Sequence, residues 1–223
     1  MTDRSKLSGL HLWAMVALIA ASAVPESILL GADWGLWGSA RWRSLTYQYG
    51  AFWSGLLLGW TPNYAAQPYA MFATYAFLHA GPGHLLVNMI TLFTLGRSII
   101  EKLGPLKFFM VYALSALGGA LGFGLFGTVF QPMVGASGAL FGLAGAWVVL
   151  DVSATVKVRP GFRGLAYAVL WPIMVLLLLN LIMLWSTKGQ LAWETHLGGF
   201  VVGAIVTSIL CRRRTSPAES SDD

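Results

Sequence analysis

This sequence predicts an all-α protein that crosses a membrane several times, and three observations carry the prediction. Hydrophobic residues make up 57% of the 223 positions and charged residues only 10%, whereas soluble domains are about 25% charged. The apolar residues gather in six runs, most of them near the roughly 20 residues that span a bilayer. Lys and Arg sit in the connections between those runs, where they set topology. The chain is basic, with net charge +5 and pI about 9.6. Because the charges form no single patch, a nucleic-acid partner is not implied.

In chain order, residues 1–9 form a short basic start and the membrane domain covers 10–211. The first run extends from Leu10 to Pro25 and is short, so its ends are soft. A rival reading takes residues 1–23 as a signal peptide, with Ala21-Ser22-Ala23 as the small-residue cleavage site. Cleavage would leave five spans. Residues 26–77 then carry Trp34, Trp37, Trp42, Trp53 and Trp60 with Arg41 and Arg43. Rings and a few cations favour the lipid headgroup layer, so this segment is read as a half-immersed, partly helical structure on the outer face. Five more runs follow: Gly83 to Ile100, Phe108 to Gly127, Ser137 to Val152 (short again), Leu165 to Trp185, and Trp193 to Cys211. Residues 212–223 begin with three arginines and continue as a polar, acidic tail expected to be disordered. Cys211 is the sole cysteine, so no intramolecular disulfide or thiolate metal cluster can form.

The cations decide orientation. Arg4, Lys6, Arg97, Lys102, Lys107, Lys157, Arg159, Arg163, Arg212, Arg213 and Arg214 fall on one side, against Arg41, Arg43 and Lys188 on the other. The side with the excess faces the cytoplasm, so both termini are cytoplasmic. Ser137 and His196 then open their spans at the same, outer end.

That coincidence points to chemistry. An ionisable residue at membrane depth is costly and marks a site with a named partner. A serine hydroxyl becomes a nucleophile when a histidine takes its proton. Gly135 and Gly138 flank Ser137 and allow close backbone approach, and free N–H groups at the helix start suit an oxyanion. Phe141, four residues on, shares the Ser137 face and is placed to hold the His196 ring. Glu194 points elsewhere on the helix, which favours a dyad over a triad. Gly138, Gly142 and Ala146 form one small-residue stripe, and Gly199 and Gly203 another; such stripes let membrane helices approach. His84 and Asn88 share a helical face near His79 and can donate to a tetrahedral intermediate.

Each feature has a plainer explanation. Ser137 fits a helix N-cap, His196 a hydrogen-bonded structural histidine, and His84 with Asn88 an interhelical clamp. The tryptophans fit an interfacial anchor. A transporter would need polar groups along the depth of several helices, and Asn180 is the only deep one. The features in combination favour proteolysis.

Together these residues resemble the rhomboid family of intramembrane serine proteases. The resemblance rests on His79-x4-His84-x3-Asn88, Gly96-x4-Glu101-x2-Gly104, Gly135-x-Ser137-Gly138 and His196-x2-Gly199-x3-Gly203, and covers roughly residues 72–211. It implies a six-helix rhomboid-like bundle with Ser137 as nucleophile and His196 as base. His84, Asn88 and the Ser137 amide would hold the oxyanion, with His79 in support. It further implies transmembrane protein substrates cut near their outer ends, without metal or cofactor, in contact with membrane lipids. The remaining class is an inactive relative that binds transmembrane clients. A Trp-Arg pair that often precedes the residue matching His79 by about nine positions is replaced here by Ala70-Met71. Trp42-Arg43 looks like that pair displaced upstream. The compact chain suggests a bacterial inner membrane, with an organellar one as the alternative.

Overall fold

The computed structural model describes residues 9–127, 130–158, 161–186 and 192–212. Among them the regular secondary structure is helical, with one isolated β-bridge. The helices are α1 (Gly9–Asp33), α2 (Trp42–Gly50), α3 (Gln67–Thr74), α4 (Pro82–Leu103), α5 (Pro105–Phe126), α6 (Ser137–Val158), α7 (Phe162–Ser186) and α8 (Trp193–Arg212). Helices α4 to α8 cover the five later apolar runs. Among the described residues, four stretches are long and apolar enough to cross a membrane: Met15–Asp33, Pro82–Leu103, Pro105–Phe126 and Trp193–Arg212. α6 adds a shorter apolar run, Ser137–Val152. Leu117, Leu121 and Leu125 on α5, and Val201, Ile205 and Ile209 on α8, form exposed apolar stripes at helical spacing, the kind of surface that faces lipid.

α1 corrects the sequence boundary. The first run ends at Pro25, yet the helix continues to Asp33 with the proline inside it. A mid-helix proline costs about 3 kcal/mol in water, but membrane helices tolerate it where neighbours supply new bonds. Beyond Pro25, two acidic residues tie α1 to Arg43 on α2, at 2.9 Å from Glu26 and 2.7 Å from Asp33. Glu26 and Asp33 lie about two turns apart on one face, so a single guanidinium spans both. The first part of the segment 26–77 therefore belongs to a long helix.

α5, α6 and α8 meet through glycines. A side chain on Gly199 would collide with the Gly138 carbonyl, one on Gly203 with the Gly142 carbonyl, and one on Gly198 with the Gly118 carbonyl. A Cβ on Gly119 would stand 3.1 Å from the Gly138 Cα, and one on Gly122 would stand 3.2 Å from the Gly198 Cα. Three backbones thus touch where ordinary helices would be held apart by side chains. Around this contact lie Leu140, Leu143, Ala120, Phe108 and Leu92, all buried.

The loop entering α6 is fastened from the other side. Phe52 and Met133 exchange backbone hydrogen bonds of 3.0 and 2.9 Å. The Phe52 ring is buried edge-on against Phe72, Tyr75 and Phe123. Tyr75 donates its hydroxyl to the Ala116 carbonyl at 2.7 Å and accepts the Gly135 amide on its own carbonyl at 3.0 Å. The aromatic segment thereby sets the height of the residues before Ser137.

Candidate functional site

Ser137 is the first residue of α6 and is 6% exposed. Two residues earlier the backbone turns through Gly135, whose φ of 126° is one L side chains rarely adopt. Any Cβ there would also stand 2.7 Å from His84 Cε1, so the glycine brings the serine loop under the His84 ring. Ser137 Oγ makes no hydrogen bond among the described residues. Catalytic hydrogen bonds are commonly long before substrate arrives and tighten in the complex.

His196 lies in the first turn of α8 and is buried. Phe141 stacks flat on it, with ring centroids 4.0 Å apart and planes 4° from parallel. The same α6–α8 contact that joins Gly138 to Gly199 therefore brings the His196 ring one turn from Ser137. His196 Nδ1 lies 2.9 Å from Asn180 Oδ1 on α7. An amide oxygen only accepts, so Nδ1 carries the proton and Nε2 keeps its lone pair. That is the tautomer a base requires.

His84 is ordered in the opposite sense. The Ala80 amide donates to His84 Nδ1 at 3.3 Å, so in the neutral ring the proton sits on Nε2. That nitrogen lies 3.0 Å from where a Cβ of Gly135 would be, which turns an N–H towards the serine loop. Asn88, fully buried, donates from Nδ2 to the His84 carbonyl at 2.8 Å and has a second N–H on the same nitrogen. The two histidines thus have opposite Nδ1 partners, a carbonyl oxygen at His196 and an amide N–H at His84.

His79 stands behind His84, with ring centroids 5.3 Å apart at a steep angle. Burial, reinforced by the neighbouring His84, lowers the His79 imidazole to about 3, so the ring stays neutral at physiological pH. Its carbonyl is held twice, by the Tyr47 hydroxyl at 2.7 Å and by Arg43 Nη1 at 3.1 Å. Arg43 in turn binds both Glu26 oxygens, at 2.9 and 3.0 Å. Burial also pushes the Tyr47 phenol upward, so it remains a donor. The displaced Trp42-Arg43 pair therefore does reach the His79 loop, from 36 residues upstream.

Three of these residues were not singled out as site residues from sequence. Glu26 and Tyr47 lie in the segment treated as interfacial. Asn180 was weighed only as a permeation residue, although a lone polar group in an apolar helix ordinarily turns inward to a partner.

Comparisons with known proteins bear on the family. The family model described as the Rhomboid domain matches residues 66–213. The chain is 30% identical to RHOMBOID-like protein 5 of Arabidopsis thaliana over 61% of its own length and 42% of that protein's. It is 33% identical to the putative rhomboid protease YdcA of Bacillus subtilis over 44% of this chain and 49% of the relative. It is 32% identical to the mitochondrial rhomboid protein 1 of Saccharomyces cerevisiae, over 58% and 38% respectively. The chain spans less than half the length of each of these relatives.

Proposed function

Because the chain belongs to the rhomboid family and is a multi-pass integral membrane protein, we propose that it is a serine endopeptidase that cuts transmembrane segments of other membrane proteins near their outer ends. In this proposal the membrane domain 10–211 crosses six times, with both termini in the cytoplasm, as the excess of Lys and Arg on one side supports. The segment after α1 lies on the outer face, and the membrane is a bacterial inner membrane.

The observation that carries the proposal is the setting of His196: its ring is stacked on Phe141 and its Nδ1 lies 2.9 Å from Asn180 Oδ1, an arrangement that suits Nε2 as the base. Ser137 Oγ attacks the substrate carbonyl while His196 Nε2 takes the hydroxyl proton. The carbonyl oxygen becomes an oxyanion that receives hydrogen bonds from His84 Nε2–H, Asn88 Nδ2–H and the Ser137 N–H. The C–N bond breaks as His196 returns the proton to the leaving amine. Water, deprotonated by the same nitrogen, then hydrolyses the ester and restores Ser137. His79 supports His84. No step calls for a metal or cofactor.

A fluorophosphonate, which forms a stable adduct only with an activated serine, tests this directly. The detergent-solubilised protein is expected to be labelled at Ser137 and to cleave a generic transmembrane substrate in the presence of EDTA. Ser137→Ala abolishes both signals and His196→Ala reduces both to background. A folded parent that is neither labelled nor active on a panel of such substrates sinks the proposal and leaves an inactive client-binding relative.

A further inference from the structure

We infer that Asn180 on α7 is the positioning residue of the base, accepting the His196 Nδ1–H and so directing the Nε2 lone pair at Ser137. The catalytic consequence rests on the protease proposal; the hydrogen bond itself does not.

The stack on Phe141 cannot do this alone. A flat ring contact fixes the plane of the imidazole but is indifferent to a half-turn within that plane's axis, which exchanges the nitrogen side of the ring for the carbon side. It is equally indifferent to which nitrogen holds the proton. Only a directional partner removes both ambiguities, and Asn180 Oδ1 at 2.9 Å is one. The depths also match: Asn180 lies near the end of α7 and His196 near the start of α8, so the two helices present them at one level. In serine and cysteine proteases a third side chain holds the imidazole in this way, and an asparagine serves in the papain-like enzymes. An amide suits membrane depth, where an ionised carboxylate is costly. The site is then a Ser-His-Asn constellation drawn from α6, α8 and α7, rather than a bare dyad.

The full chain in detergent allows two independent readings. In the first, histidine is labelled with 15N and the His196 signals are identified by their loss in His196→Ala. The expected parent spectrum has Nδ1 protonated and Nε2 bare, and Asn180→Leu shifts His196 towards the other tautomer. A parent with Nε2 protonated overturns the inference, whether or not the chain is a protease. In the second, Asn180→Leu lowers kcat and the rate of fluorophosphonate labelling by about 10²-fold, the scale of a misplaced catalytic group, with KM unchanged. Asn180→Asp keeps the acceptor and restores most of both rates. Full activity in Asn180→Leu, or equal loss in both variants with intact folding, also overturns it. If Asn180→Leu does not fold, Asn180→Asp and the parent spectrum decide. A parent without labelling or cleavage instead counts against the protease proposal, and the spectrum still tests the bond.

Discussion

The two halves of the site are built by opposite means. The half with Ser137 and His196 stands on close backbone contact: Gly138 and Gly142 meet Gly199 and Gly203 carbonyl to Cα, with the Phe141–His196 stack beside them. In the half with His79, His84 and Asn88, the His79 carbonyl is held by Arg43 and Tyr47, and Arg43 is anchored by Glu26 and Asp33. The first lies wholly within residues 66–213, which the family model matches, whereas the charged clamp lies upstream of them. Close approach needs only the right small residues on two facing helices. A carbonyl in a loop has no helix to hold it and must be gripped from outside.

The largest expected effect breaks the charged half. The Glu26 side chain is 1% exposed, so Arg43→Met strands a buried carboxylate. Removing one partner of a buried pair costs about 3–5 kcal/mol. The thermal midpoint should fall sharply, and adding Glu26→Gln should recover most of it. An unchanged midpoint in the single variant would mean that Arg43 does not hold this half. Next come the donors themselves. His84→Ala and Asn88→Ala should each lower turnover by about 10²–10³-fold, or about 2.7–4 kcal/mol, in a protein of near-parental stability. Loss of fold with each would make them clamps, and unchanged turnover in both would remove them from the site. Last comes the glycine half. Gly199→Val must push against the Gly138 carbonyl, and overpacking costs about 1–3 kcal/mol. Because it separates Ser137 from His196, its activity should still fall by about 10²-fold. A variant as active and as stable as the parent would show that the contact is slack.

The comparison also explains what the sequence could reveal. Runs of bilayer length are legible because lipid tolerates few alternatives to a helix. The small-residue stripes on α6 and α8 are legible because spacing alone puts Gly138 and Gly142, or Gly199 and Gly203, on one face. That α5 joins them through Gly118, Gly119 and Gly122 is not, since nothing in the spacing says which helix a glycine faces. Pro25 misleads because a proline that would end a helix in water is tolerated inside a membrane helix. Glu26, Tyr47 and Asn180 escape for one shared reason: each is defined by a partner far along the chain, and no local pattern points to it.

The contact between α6 and α8 also orders events in time. Ser137 and His196 are 59 positions apart, and a ribosome adding about 5–20 residues per second needs roughly 3–12 s to cover that distance. Throughout that interval Ser137 exists without His196, because α8 is the last of the described helices to be made. If the chain is the protease proposed here, it is inert while its own helices and those of its neighbours are being threaded into the bilayer. On that proposal it gains its base only after α8 is made, when the glycines of α8 meet those of α6.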